Sequence, residues 1–594
     1  MVELSKSINI LNDVAMGRRK ADLVLVGCSL VSVYTGEVVP NTQVAVIKDR
    51  IAYVGSDASH TVGTRTITID LRGKYLIPGF ADPHTHIDQF VLPSELVKKS
   101  LLHGTTTLFA DSIDIVSIAG HEGFSAFQKM TKCMPLRIFH TVPGGLPVDP
   151  KFSTVRSLTE SQERLALQNP ETVGLGEVFS WTKVTNQDRP TMHKLSRMLK
   201  DNHIINGHTA GASDKKLAAY VASGIISCHE PTNFEQTVER LRLGMWVMIR
   251  EGSIRRDLED IVRGALLENT YTDRMMFCTD GLDPTDIQKF GHIDYCVQRS
   301  IEIGMDPIQA ITIASRNCFD YYGMSKDLGG IAPGRLADML VLESLERPNN
   351  IDKVFVGGTM VVSKGNIVPH IKKSIVPTWL RRSINITKLC AKDFTIKSRL
   401  NTVSANAIHM ETEIVTRGKT VQLDVQNGNV HASIDDDIWK VAAFDRTGLS
   451  KKHTVGFLEN FGAEIGAFAS TWSFHENNLI VLGTNDKDMA LAANEACSSG
   501  GGISIVYDGK TLAKMQLQVG GIISSDSFDV VAENFASIGN TLLDAGCRFS
   551  KPHLVPLFLP FLAIPSIRIT AGGIVDIKKH TYVKPLQSTK QPDI

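Results

Sequence analysis

The chain lacks a cysteine framework. Its nine cysteines are odd in number, irregularly spaced and never arranged as CxxC, which argues against a disulfide scaffold. We interpret them as reduced thiols of a cytoplasmic protein. The N-terminal sequence MVELSKSINILNDVAMGRRK also lacks the basic start, apolar middle and small-residue cleavage site of a signal peptide, so we do not expect secretion.

Net charge and long apolar runs are also missing. The 63 basic and 63 acidic side chains cancel to a formal net charge of zero, so charge gives no reason to expect a nucleic-acid partner. The most apolar stretch, residues 554–567, is interrupted by three prolines. It is also shorter than the roughly 20 residues that a membrane-spanning helix needs, so we expect no membrane partner.

The 594 residues are enough for two or three domains. Short β-branched runs broken by turns in residues 1–75 predict a small sheet, and similar runs return in residues 328–375. We therefore predict one split β-domain whose two parts flank a barrel at residues 76–327. After a polar connecting region at residues 376–420, we predict a C-terminal α+β domain at residues 421–594.

Eight short apolar runs alternate with helix-length amphipathic stretches in the barrel segment. The runs are LIPGFADPH, TTLFADS, LRIFHTV, VGLGEV, IINGH, GIISCH, MWVMIREG and MMFCTDG. Eight strands that alternate with helices predict an α/β fold, the (β/α)8 barrel. Several of the runs end in His, Asp or Glu, and such barrels place their chemistry at the carboxyl ends of the strands.

Six residues at these strand ends carry nitrogen or oxygen ligands for a metal. They are His84, His86, Glu177, His208, His229 and Asp280. Any one of them alone is more commonly structural, and an isolated HxH pair is ambiguous. Four imidazoles and two carboxylates at one barrel mouth instead suit two divalent ions. The carboxylates favour Mn²⁺ or Fe²⁺, with Zn²⁺ as a third candidate.

This ligand order, together with a barrel inserted in a split β-domain, resembles the amidohydrolase superfamily. Within it, the chain is similar to the adenine deaminases of bacterial type. The matching stretches include PGFADPHTHI, HGTTTLFAD, INGHTAGASDKKLAAYVASGIISCHEPT, GGIAPGRLADMLVL and, in the C-terminal domain, GFLENFGAEIGAFAST and NNLIVLGTNDKDMALA. The similarity covers almost the whole chain. Glu177 stands where many superfamily members carry a carboxylated lysine, as it does in adenine deaminases.

The resemblance implies hydrolytic deamination of adenine to hypoxanthine and ammonia with two divalent metals. Asp280 is expected to move a proton from the attacking water to the departing amine. His229 is expected to polarise the attacked carbon, and Glu177 to bridge the metals. The paired HxE and PCxxC signature of the single-zinc nucleobase deaminases is absent. A homodimer or higher homo-oligomer is also expected.

Three places depart from the family pattern. The chain has Asp111 to Asp114 where the family usually has a His and a Glu, residues 88–90 where it has a Glu and two serines, and Gly281 where it has a second Asp. Asp111, Asp114 and Glu251 are our candidates for contact with the substrate. Solvated loop acids or a helix N-cap are the alternatives for the first two. The departures leave open another amino-heterocycle as substrate, and a metal-bound scaffold without catalysis is a further alternative.

Overall fold

The computed structural model of the protein describes residues 3–448 and 450–587. Residues 1–2 of the predicted split β-domain, and residues 449 and 588–594 of the predicted C-terminal domain, therefore lie outside the described residues. Within the described ranges, no helix reaches the length and apolar character that crossing a membrane requires.

The N-terminal part of the chain forms a short helix and five strands. Turns at residues 35–37 and 48–50 break the β-branched runs, with Gly36 and Lys48 in the left-handed region at φ 71° and 54°. The elements are α1 Ile8–Ala15, β1 Leu23–Ser32, β2 Glu37–Ile47, β3 Arg50–Gly55, β4 Ile67–Asp70 and β5 Tyr75–Pro78. Strand β5 ends three residues beyond the predicted boundary at residue 75, because LIP belongs to this sheet and not to the first barrel strand.

Each of the eight predicted barrel runs contains a strand. Five of these strands form a parallel sheet in the order β11-β10-β9-β8-β6, and three form a second parallel sheet in the order β12-β13-β14. A parallel bridge between Thr85 and Asp280 joins the carboxyl ends of the first and last strands. The eight strands are β6 Phe80–Thr85, β8 Thr105–Asp111, β9 Arg137–Val142, β10 Thr172–Val178, β11 Ile204–Gly207, β12 Ser227–Cys228, β13 Trp246–Arg250 and β14 Met275–Cys278. The short strand β7 Phe90–Val91 follows β6 and belongs to neither of these sheets.

Helices separate the strands of this segment. Several begin at capping residues; Asn233 and Asp283, for example, accept hydrogen bonds from backbone N–H groups of the first turn. The helices are α2 Pro93–Leu102, α3 Ile113–Thr131, α4 Glu160–Leu167, α5 Trp181–Thr185, α6 Arg189–Lys200, α7 Asp214–Ala222, α8 Phe234–Arg242, α9 Leu258–Leu267, α10 Pro284–Phe290, α11 Ile293–Ile303, α12 Pro307–Ile313 and α13 Arg316–Tyr321.

The chain then returns to the N-terminal sheet. Strand β15 pairs antiparallel with β5, so that Met339 lies opposite Pro78 and Leu342 opposite Tyr75. The nine-stranded sheet has the order β18-β17-β16-β15-β5-β1-β2-β3, with β4 beside β1. The returning strands are β15 Met339–Leu342, β16 Ile351–Val356, β17 Thr359–Ser363 and β18 Asn366–Ile367. One sheet is thus built from two segments that flank the eight parallel strands.

The remaining strands and helices form the C-terminal domain, which is built on a ten-stranded sheet with the order β19-β22-β21-β20-β24-β23-β26-β25-β27-β28. Its elements are β19 Ile396–Lys397, β20 Thr402–Met410, β21 Thr416–Gln426, β22 Asn429–Val430, β23 Ile438–Phe444, β24 His453–Glu459, β25 Ala467–Ser470, β26 Leu479–Gly483, α14 Asp486–Cys497, β27 Gly502–Tyr507, β28 Lys510–Gln516, β29 Ile523–Ser524, α15 Phe528–Asp544, α16 Val555–Phe558, β30 Ile567–Thr570, β31 Gly573–Asp576 and β32 Thr581–Val583. Strands β19 and β20 lie in the stretch that we had treated as a connecting region, because its mixed polar composition obscured the alternating pattern of TVSANAIHM.

The C-terminal domain packs directly on the carboxyl ends of the parallel strands. Strand β29 pairs with β7 at Ile523 and Phe90. The Phe90 ring also lies 4.4 Å from the ring of Trp472 and 4.9 Å from that of Phe535. One continuous hydrophobic core therefore includes residues of both parts. This packing brings the loop between β25 and β26 over the strand ends.

Candidate active site

Three of the predicted metal ligands meet where β6 and β14 end side by side. The backbone N–H of His86 donates to the carbonyl of Asp280 at 2.7 Å, and the N–H of Asp280 donates to the carbonyl of His84 at 3.0 Å. The Nε2 atoms of His84 and His86 consequently lie 3.5 and 3.3 Å from Oδ1 of Asp280. Asp280 has a left-handed φ of 58°, a conformation that is uncommon for a residue other than glycine.

The other predicted ligands gather around Glu177 at the end of β10. Oε2 of Glu177 lies 2.7 Å from Nδ1 of His208 and 3.3 Å from Nε2 of His229. Its Oε1 lies 3.6 Å from Nε2 of His86, so this carboxylate faces ligands of both groups. The imidazole of His229 also stacks on that of His84, with ring centroids 4.1 Å apart. All six predicted ligands therefore lie together.

The donor atoms fit divalent metal ions. The Nδ1–H of His86 donates to the carbonyl of Asp111 at 2.9 Å, which leaves the lone pair on Nε2 facing the site. Among the described residues, no hydrogen bond reaches Nε2 of His84 or of His86, although both atoms are buried. Buried polar atoms without a partner are rare in proteins. Three sets of donors have their ligand atoms within 4.8 Å of one another: His84, Glu177 and His229; His84, His86 and Asp280; His208, His229 and Glu230.

The carboxylates of the site are held in their charged form. Burial opposes ionisation of Asp280, but the imidazoles of His84 and His86 and the charge of Arg250 hold its pKa well below the usual range. Burial likewise opposes ionisation of Glu177. The hydrogen bond and the charge of His208 outweigh this effect and hold the pKa of Glu177 well below its usual range. Deprotonated carboxylates are the form that binds divalent cations.

Two buried residues that sequence reasoning missed complete the cluster. Oε1 of Glu230 lies 3.4 Å from Nε2 of His229 and 3.7 Å from Nδ1 of His208. The guanidinium of Arg250 pairs with Glu230 and donates from Nη1 to Oδ2 of Asp280 at 2.9 Å. Burial opposes ionisation of Glu230, but Arg250 lowers its pKa to about 2. Two features of the sequence could have identified these residues. Glu230 directly follows the predicted ligand His229, and Arg250 stands at the end of an apolar strand.

The three candidates for substrate contact are buried, but they are not among the residues that line the cavity described below. Oδ2 of Asp111 accepts the backbone N–H of Glu177 at 2.9 Å. Asp114 accepts hydrogen bonds from the side chain of Gln89 at 2.7 Å and from the C-terminal domain. Glu251 pairs with Arg256 at 2.9 Å. Successive strand side chains alternate in direction, so Arg250 rather than Glu251 reaches the cavity.

A cavity of about 610 Å³ lies over the cluster of predicted metal ligands. Its inner end is lined by strand-end residues that include His86, Glu177, Arg250 and Asp280. Its walls are largely apolar, and most of them come from the C-terminal domain: Phe474, Phe558, Phe561, residues 412–415 and residues 563–565. Phe179 of the parallel-strand segment completes an aromatic wall. Such a cavity suits a flat, largely apolar ring whose polar edge meets the charged groups.

Family models match both main parts of the chain. The model of the amidohydrolase family matches residues 75–361, and the model of the adenine deaminase C-terminal domain matches residues 413–581. The parallel strands with His, Glu and Asp at their carboxyl ends, together with the first match, define the class of the protein as an amidohydrolase.

The similarity to known adenine deaminases extends over nearly the whole chain. The adenine deaminase of Cenarchaeum symbiosum is 55% identical over 585 residues, which cover 98% of this chain and 96% of that protein. The adenine deaminase of Moorella thermoacetica is 36% identical and covers 95% of each chain. The crystal structure of a β-aspartyl dipeptidase from Fervidobacterium islandicum AW-1 covers 59% of this chain at 17% identity, with a TM-score of 0.46. The chain belongs to the adenine deaminase family.

Proposed function

We propose that the protein hydrolyses adenine to hypoxanthine and ammonia. The observation that carries this proposal is the set of six ligands gathered at one end of an aromatic-walled cavity, in a chain that matches adenine deaminases over nearly its full length. A flat heterocycle in this cavity would direct its exocyclic amine toward the charged cluster. Amidohydrolases attack an amide carbonyl carbon or an imine carbon, and that carbon must likewise face the charged cluster.

We propose that His84, His86, Glu177, His208, His229 and Asp280 hold two divalent ions. Manganese or iron suits the carboxylate-containing donor set best, and zinc is the third candidate. Bound divalent ions lower the pKa of water, so that hydroxide becomes available for attack near neutral pH. The two oxygens of Glu177 face His86 on one side and His208 and His229 on the other, which supports a role for this carboxylate in holding both ions.

Proton transfer is assigned to Asp280. Its Oδ1 faces His84 and His86, while its Oδ2 accepts a hydrogen bond from Arg250. We propose that Asp280 takes the proton from the attacking water and delivers it to the departing amine. We propose that Arg250 orients this carboxylate and that His229 polarises the attacked carbon. The adjacent carboxylate of Glu230 lines the cavity and is a further candidate for contact with the base.

The remaining residues act as supports in this proposal. Asp111 fixes the backbone of Glu177 and, through its carbonyl, the ring of His86. A Cβ at Gly176 would lie 2.2 Å from Oδ2 of Asp111, so glycine is required for this close approach. Direct contact of Asp111, Asp114 and Glu251 with the base stays a prediction.

The larger organisation is also a proposal. We propose that the eight parallel strands form a closed (β/α)8 barrel, inserted in a split β-domain whose first segment extends to Pro78 and followed by a C-terminal domain that begins with β19. The bridge between β6 and β14 supports closure. Nine free cysteines suit a cytoplasmic protein. Assembly into a homodimer or higher oligomer is expected.

The test is ammonia release by the purified protein loaded with manganese or iron. Adenine should be the preferred substrate within a panel of amino-purines, pterins and amino-pyrimidines. Gly281 and residues 111–114 depart from the family pattern, which makes another amino-heterocycle the second candidate. Release from another member of the panel but not from adenine would retain the class and overturn the substrate. No release from any member would contradict catalysis by this site.

A further inference from the structure

The part of the cavity wall that the C-terminal domain supplies comes largely from three short segments that are far apart in the chain. Residues 412–415 form the turn between β20 and β21, Phe558 ends α16, and residues 563–565 lie in the loop before β30. A turn, a helix end and a loop keep a common surface only if other groups hold them together. The side chain of Arg568 connects all three segments.

Arg568 lies on β30, is completely buried, and donates hydrogen bonds to four backbone carbonyls. Its Nε donates to Ile564 at 2.8 Å and its Nη1 to Phe558 at 3.1 Å. Its Nη2 donates to Ile414 at 2.9 Å and to Pro565 at 3.0 Å. All four accepting residues line the cavity, whereas Arg568 does not. One guanidinium therefore joins the three segments of the wall from outside the cavity.

The charge of Arg568 is balanced in an unusual way. Within the part of the chain that the structure describes, no carboxylate forms an ion pair with it, and burial lowers its pKa to about 9. The side chain stays charged near neutral pH, so the carbonyl dipoles balance its charge. Burying a charge costs more than burying an apolar side chain of similar size. Packing alone therefore does not account for an arginine here, whereas its planar fork of N–H donors suits several carbonyls at fixed angles.

The backbone on both sides of Arg568 is fixed. The hydroxyl of Thr416 donates to the carbonyl of Ile567 at 2.7 Å, and the N–H of Ile569 donates to the carbonyl of Leu559 at 3.1 Å. Strand β30 also pairs antiparallel with β31. The guanidinium thus extends from a well-supported strand, and it can hold the less regular segments of the wall at a defined distance from that strand.

We propose that Arg568 is a positioning residue for the heterocycle, which sets the shape of the apolar wall by holding Ile414, Phe558, Ile564 and Pro565 in a fixed relation. The wall is where a purine would pack the ring that lies away from the charged cluster. This inference rests on the proposed deamination of adenine. The alternative is that Arg568 only stabilises the C-terminal domain and does not affect the bound ring.

Two substitutions of Arg568 separate these alternatives. R568K keeps the charge but replaces the fork by a single ammonium group, and R568M removes the charge at similar length. If Arg568 positions the wall, R568K should raise KM for adenine roughly tenfold, the effect of losing contact with about two methylene groups, with kcat and metal content little changed. R568M should raise KM further. A purely stabilising role predicts a lower melting temperature with KM unchanged.

Binding of purine and pyrimidine provides a second measurement that does not depend on turnover. Neither compound carries an exocyclic amine, and only purine has a second ring to pack against the wall. Calorimetry on the metal-loaded wild type should give a lower Kd for purine than for pyrimidine. R568K should reduce this ratio, because the second ring loses its contacts, while changes that affect both compounds equally cancel.

Arg446 provides a matched control in the same domain. It is buried, donates from Nη1 to the carbonyl of Thr471 at 3.0 Å and from Nη2 to that of Gly520, and it also forms no ion pair with a carboxylate among the described residues. Neither accepting residue lines the cavity. R446K should therefore leave KM and the ratio of the two Kd values unchanged, even if its melting temperature falls.

The inference is overturned if R568K has the KM and the Kd ratio of the wild type, or if R446K changes them as much as R568K does. Should R568M fail to fold, R568K decides the question. Failure of R568K to fold, with R446K folded, would indicate a purely stabilising role and also overturn the inference. Absence of ammonia release from adenine by the wild type would instead overturn the proposed function, and the Kd ratio would still be measurable, so the two failures are distinguishable.

Discussion

Replacing Arg250 by methionine should destabilise the metal-free protein strongly. The guanidinium is only 4% exposed, contacts Glu230, and lies 2.9 Å from Oδ2 of Asp280 and 3.4 Å from Oδ2 of Asp257. Methionine keeps much of the apolar length and removes the charge, so buried carboxylates lose their counter-ion. Breaking a buried ion pair in this way costs about 3 to 5 kcal/mol.

The assay is thermal unfolding of the metal-free protein. For a folding unit of the size of the parallel-strand segment, 1 kcal/mol corresponds to about 2 to 4 °C, so R250M should lower the melting temperature by about 6 to 20 °C. Bound divalent cations would supply positive charge beside Glu230 and Asp280, so we expect a smaller loss in metal-loaded protein. The matched control is R263M, which breaks an ion pair whose arginine is 54% exposed and should cost less than about 1 kcal/mol.

Two results would refute this reasoning. One is a melting temperature of R250M within about 2 °C of the wild type, since an uncompensated buried charge cannot cost so little. The other is the behaviour of the double variant R250M/E230Q. Removing the charge of Glu230 should recover part of the lost stability, and no recovery would mean that the loss comes from packing and not from the unpaired carboxylate.

Three further predictions concern catalysis. E177Q should bind fewer than two metals per chain and lose activity; two bound metals by elemental analysis would contradict the bridging role. D280N should bind substrate but turn over far more slowly, because an amide cannot accept the proton; near-normal kcat, with metal content measured in the same sample, would exclude the proton transfer. G281D should raise adenine turnover roughly ten- to a hundredfold if an acid there stabilises the transition state, since the nearest atom to an added Cβ is 3.9 Å away; unchanged kcat/KM would exclude this.

The grouping of the six candidate metal ligands could be predicted from the sequence because it is encoded locally. Each of the six residues directly ends or follows a short apolar run, and the carboxyl ends of parallel strands share one edge of a sheet. The runs identified the strands, and the strands then determined where the ligands meet. Charge and cysteine content were read from the sequence in the same direct way.

The local sequence pattern was less informative where either of two neighbouring residues could have lined the cavity. Arg250 and Glu251 are both charged and adjacent, and only the direction of each side chain shows that Arg250 lines the cavity. Strand β20 was missed because four of its nine residues are polar and interrupt the apolar ones, although buried positions recur along it. The prediction that residues 76–78 belong to the first barrel strand was wrong for a related reason. An apolar run indicates a buried strand, but it does not show which sheet that strand joins.

The sequence by itself determined the family, the parallel strands and the six candidate metal ligands, since these follow from residue type and short-range periodicity. Only the tertiary structure decided what encloses the cavity. Asp114 accepts a hydrogen bond from His475 across 361 residues of chain. No local pattern encodes such a contact, because it exists only when the C-terminal domain packs on the carboxyl ends of the parallel strands. The aromatic wall therefore belongs to the packing of two domains, and to neither domain alone.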